Sequence, residues 1–123
     1  MSILKIFGFN SKLEISGNIE AHQKDFHEIL VKLETILRNE TYYAHADFII
    51  ELDKNLLEKN FERFFEQINT VEMWGGSGAV WEVYIKDSKT KTEFNKQMLA
   101  LINLMGKTKS ARRGVKPLRK FFT

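Results

Sequence analysis

The sequence predicts a mainly α protein: a helical bundle of about four helices with one short β element over residues 80–86. Three observations carry that expectation. Apolar residues recur every three or four positions through separate stretches, which is the period of a helix with one buried face. One seven-residue run, "VWEVYIK", alternates with period two instead. The single proline, Pro117, stands beyond all of these segments. At 123 residues the chain fits one helical domain with one core, residues 1–106, followed by a basic C-terminal tail, 107–123.

The first helix is expected over residues 17–40, where Ile19, Phe26, Ile29, Leu30, Leu33, Ile36 and Leu37 are mostly three or four apart. Ser16 or Asn18 supplies the N-cap, and Glu20 with Asp25 suits the positive end of the helix dipole. A second helix, within residues 42–59, sets Ile49, Leu52 and Leu56 on one face, with Phe48, Ile50 and Leu57 widening it. A helix apolar over so much of its surface is expected at the centre of the bundle. Asn60 then caps a short third helix in which Phe61, Phe64, Phe65 and Ile68 gather.

Beyond the four small residues "GGSG", Trp81, Val83 and Ile85 point one way and Glu82, Tyr84 and Lys86 the other, as in a half-buried strand. A lone strand leaves backbone groups unpaired, so it needs a neighbour. The candidates are the N-terminal "SILKIFGF", itself readable as the start of a helix, and the same strand of a second copy, since the oligomeric state is open. Thr90 and Glu93 have the spacing of a capping box, and the stripe Phe94, Met98, Leu101, Ile102 and Met105 runs to Gly106, a fitting C-cap.

Charge divides the chain unevenly. The tail carries Lys107, Lys109, Arg112, Arg113, Lys116, Arg119 and Lys120 and no acid, against 12 bases and 16 acids in the remainder. With no cysteine there are no disulfides, thiolate metal sites or cysteine nucleophiles. No membrane span and no full secretion signal are read in the composition, so a cytoplasmic protein is expected. His22 and His27 are five apart and face different sides of a helix, there is no HExxH, and neither a metal nor a cofactor is expected.

The glycines of "MWGGSGAVWEVYI" lack the lysine, hydroxyl and following helix of a phosphate loop, and read better as a bend. Trp74 and Trp81, on either side, read as core or, if exposed, as partner contacts. The carboxylates Glu62 and Glu66 have the spacing of an ordinary solvated helix face. No catalytic residue is therefore expected. The tail is open to several readings: docking on the core through Phe121 and Phe122 or disorder, contact with nucleic acid, attraction to a membrane, or an acidic protein partner.

Two amphipathic helices, an aromatic-rich short helix, a glycine turn and a further helix make an order that resembles a family of small uncharacterised bacterial helical proteins with a Gly-Gly-x-Gly-Ser-like turn. Gly75, Gly76 and Gly78 match that turn, Ala79 stands where a serine is expected, and Glu82 stands where the acidic residue is expected, over about residues 30–85. The cysteine-free composition, rich in Lys, Asn, Ile and Phe, is also similar to that of immunity proteins that bacteria encode beside contact-dependent or secreted toxins. That resemblance implies a scaffold with one surface complementary to a toxin, such as a basic nuclease domain. It makes Tyr42, Tyr43, Glu51, Asp53, Glu58, Glu62, Glu66 and Trp74 the expected partner contacts. The other expectation is a nucleic-acid-associated regulator that uses the tail.

Overall fold

Four large apolar side chains of one stretch, Phe26, Leu30, Leu33 and Leu37, and three of the next, Ile49, Leu52 and Leu56, share helical faces that bury completely against one another. Each such side chain contributes about 1.5–3 kcal/mol on leaving water, so this pairing organises the fold. In a computed structural model, which describes the backbone of residues 3–123 and side chains from Ser11 onward, the pair is an antiparallel hairpin of α2 (Gln23–Asn39) and α3 (Tyr43–Leu57). His27 near the start of α2 meets Asp53 near the end of α3, and Arg38 meets Asp47 at the opposite end. Around the hairpin lie α1 (Ile3–Ala21), α4 (Phe61–Ile68), the one-turn α5 (Val71–Trp74) and α6 (Ser88–Lys107). Phe64 of α4 meets Phe26 edge-on at 5.2 Å, and α6 buries Phe94, Met98, Leu101, Ile102 and Met105.

The single helix expected over residues 17–40 is two. His22, at φ −115° and ψ 20°, separates α1 from α2. Because α1 runs on through Ser16 and Asn18, neither caps a helix; the Asn18 amide instead donates to Thr108 O at 3.0 Å, tying α1 to the end of α6. Three helices stop in the same way, with a non-glycine residue in the left-handed region: Thr41 at φ 66°, Lys59 at 63° and Lys109 at 61°. After each, an amide reaches back five residues at 2.8 Å, Tyr42 to Leu37 O, Asn60 to Asn55 O and Ser110 to Met105 O, which closes the last turn. Hence α6 ends at Lys107, beyond the expected stop at Gly106. Its start is also earlier than the Thr90 capping box implies: Asp87 is the cap, accepting from Thr90 N and Thr90 Oγ1 at 2.8 and 2.7 Å. Those bonds, the hydroxyl's first, hold the Asp87 carboxyl below its usual range.

The short β element at 80–86 is not a strand. Val80–Glu82 forms a 3-10 turn, and residues 83–86 are extended without a paired strand. The alternation is nevertheless present, with Val83 and Ile85 buried and Glu82, Tyr84 and Lys86 exposed. What replaces the neighbour is one hydroxyl: Tyr42 Oη donates to Tyr84 O at 2.7 Å and accepts from Tyr84 N at 3.0 Å. The N-terminal segment offers no strand for pairing, because the backbone is helical from Ile3; its side chains lie outside the described residues. At the glycine turn, a Cβ on Gly75 would meet Val71 O at 2.6 Å, and Gly78 adopts φ 93°, so the bend requires glycine at both places.

Beyond α6 the chain doubles back. Val115 and Phe122 are buried, Arg119 Nε donates to Asn103 Oδ1 at 2.6 Å, and Phe122 lies 6.4 Å from Phe94 between ring centres. The segment ends in a 3-10 helix, Lys116–Phe122, that runs antiparallel to α6.

Candidate interaction surface

Residues seven apart on a helix fall on almost the same side, so Tyr43, Ile50 and Leu57 form a stripe along α3. That stripe faces away from the hairpin core, and its members are between 45% and 56% exposed. Val31 of α2, 44% exposed, lies beside it. Between the two helices Leu30, Val31, Glu34, Ile49, Ile50 and Asp53 line a shallow groove of about 140 Å³. The sequence pattern makes Ile50 and Leu57 extensions of the core face; the structure buries only Ile49, Leu52 and Leu56 of that arc and leaves these two in water.

Polar side-chain pairs hold both ends of the groove. His27 Nδ1 lies 2.8 and 2.9 Å from the two oxygens of Asp53, whose side chain is largely covered. At the other end Arg38 donates to Glu34 Oε1 at 2.6 Å and to Asp47 Oδ1 at 3.0 Å. Glu34 first, then Asp47, raises the Arg38 pKa and keeps the guanidinium charged. Asp47, Glu51 and Glu58 are exposed along α3 beside the stripe. The arrangement is an apolar strip on a two-helix scaffold, with Lys54 exposed between Ile50 and Leu57 and carboxylates at its margin, and it is suited to binding.

The eight expected contact residues do not form one patch. Tyr43 and Glu51 are exposed on α3 and Glu58 just after its end, and Asp53 lines the α2–α3 groove. Tyr42 is committed to Tyr84 and serves as an anchor. Glu62 and Glu66 belong to a different groove, shared with Lys12, Leu13, Ile15 and Ser16 of α1, where Glu62 approaches Lys12 at 3.9 Å. Glu66 also holds Arg112 at 2.8 Å, while that guanidinium lies over the Phe65 ring. Trp74 is half-buried, donates to Ile68 O at 2.6 Å, and borders a cleft with Gly75, Arg112 and Arg113. Charge and nearness in sequence group these acids around two successive helices, and the turns between α3, α4 and α5 send them to different faces.

Each histidine has a polar neighbour: His22 with Asp25, His27 with Asp53, and His45 donating from Nε2 to Gly78 O at 2.8 Å. Among the described residues no group of three or more histidines and carboxylates is placed to hold a metal ion, and no helix is long and apolar enough to cross a membrane. The glycine turn leads into a 3-10 turn, without an α-helix start behind it. In comparisons with known proteins, no family model, no curated protein and no solved structure matches the chain.

Proposed function

We propose that the chain is a non-catalytic binding protein that captures a basic protein domain on its α2–α3 face, as an immunity protein neutralises a cognate toxin in the cytoplasm. The observation that carries this reading is the exposed stripe Tyr43, Ile50 and Leu57, with Val31 beside it, on a hairpin whose core face buries Ile49, Leu52 and Leu56. Interfaces concentrate their energy in a few aromatic and large apolar side chains, surrounded by polar groups that exclude water. The choice of a basic partner rests on charge: residues 1–87 hold nine lysines and arginines against fifteen carboxylates. Such a field speeds association with a positively charged domain.

The test mixes the purified chain with the product of the gene beside its own and follows the pair by size exclusion. A one-to-one complex that forms with the native chain and not with Ile50→Asp supports the reading. Two separate peaks at micromolar concentration, or a complex indifferent to Ile50→Asp, refute it.

A further inference from the structure

The C-terminal third holds cations that no carboxylate answers. Residues 88–123 contain ten lysines and arginines and one acid, Glu93. Every carboxylate side chain of the sequence is among the described residues, and of the ten cations Lys109 pairs with Glu14 and Arg112 with Glu66. The other eight have no ion pair among the described residues. On α6, Lys89, Lys96, Asn103 and Lys107 recur at steps of seven, seven and four on the exposed side. At ~1.5 Å per residue that track is about 27 Å long. The returning tail lays Arg119 onto it through Asn103, then presents Lys120 and Phe121. The Phe121 ring is 55% exposed, 5.3 Å from Trp81, with Lys120 Nζ 5.4 Å from its centre.

We infer that this surface binds single-stranded nucleic acid, with phosphates along the α6 track and an unpaired base stacked on Phe121. It is separate from the α2–α3 face, and either surface can fail its test without the other. Cations without internal partners remain available to phosphates, and docking of the tail on α6 means that little ordering remains to be done on binding. The exposed ring beside a lysine is the element that duplex binding does not use, because paired bases offer no open face. A lipid surface fits less well: Phe121 is the one large apolar side chain the tail exposes, Val115 and Phe122 being in the core.

Fluorescence anisotropy of a labelled oligothymidine against the full chain tests this. With about five phosphate contacts to a single strand, affinity falls about 100-fold between 50 and 200 mM salt. Lys96→Glu with Lys107→Glu, both exposed, weakens binding and flattens that salt dependence. Phe121→Ala weakens binding about 10-fold with the salt dependence unchanged, and Phe121→Trp restores it. Melting curves of each variant confirm that the fold is intact; the lysine pair carries the test if Phe121→Ala unfolds. The proposal is overturned by absence of salt-dependent binding, by equal affinity for a duplex, by affinity the lysine substitutions leave untouched, or by binding to phosphatidylserine vesicles in its place.

Discussion

Replacing Asn69 by alanine loosens the start of the C-terminal segment, around Ser110 and Arg112. The Asn69 amide donates to Phe65 O at 2.8 Å and to Ser110 O at 2.9 Å, while its oxygen accepts from Arg112 N at 2.9 Å. One side chain therefore closes the end of α4 and fastens the chain that follows α6. Three hydrogen bonds at about 0.5–1.5 kcal/mol each, partly open to water, give a loss of about 2–3 kcal/mol. With an unfolding entropy of about 0.26 kcal/mol/K for a chain of this length, the midpoint falls by roughly 8–12 °C. Urea titration and calorimetry measure the loss. Trypsin reports where it occurs, because Arg112 and Arg113 become better substrates before the helices do. A variant with an unchanged midpoint and unchanged cleavage at these sites would refute the reasoning, since the tail would then be held by something other than Asn69.

Tyr42→Phe removes the hydroxyl that satisfies both backbone groups of Tyr84; a destabilisation of about 1–2 kcal/mol by urea titration is expected, with faster amide exchange at Tyr84. Thr41→Gly relieves a β-branched residue at φ 66° and is expected to stabilise by up to ~1 kcal/mol, the strain relieved exceeding the added freedom of the unfolded chain. Asp87 has its carboxyl pKa lowered by Thr90, so the stability it adds is present above the ordinary carboxylate range and is lost as pH falls through the lower native value. Thermal melts below about pH 4 therefore show a steeper decline for the native chain than for Asp87→Asn, which keeps a cap that does not titrate.

Much of the helical architecture is legible in the sequence. The faces of α2, α3, α4 and α6 follow from spacing, and the residues that spacing puts at their centres are the buried ones. Period two at 81–86 correctly sorts Val83 and Ile85 from Tyr84, but alternation describes an extended backbone and not its partner. Alternation alone predicts a strand, and a single tyrosine hydroxyl forty-two residues away supplies the bonds instead. The break at His22 falls in the gap between Ile19 and Phe26, which share one helical face and so give no sign of a stop, and the turns at Thr41, Lys59 and Lys109 use residues that do not advertise a left-handed conformation. The exposed stripe on α3 is hidden for a related reason. A wide apolar arc on α3 is equally the mark of a central helix and of a helix with one face left uncovered, and only packing distinguishes them.

The measurement closest to the central claim is the dissociation rate of the complex with the protein encoded beside this one, followed by surface plasmon resonance for the native chain, Ile50→Asp and the pair Lys96→Glu with Lys107→Glu. Loss of a central contact worth 2 kcal/mol or more corresponds to an affinity about 30-fold weaker. The account predicts that loss for Ile50→Asp, mostly through faster dissociation, and no such loss for the lysine pair on α6. Tight binding that survives Ile50→Asp and disappears with the lysine pair would contradict it.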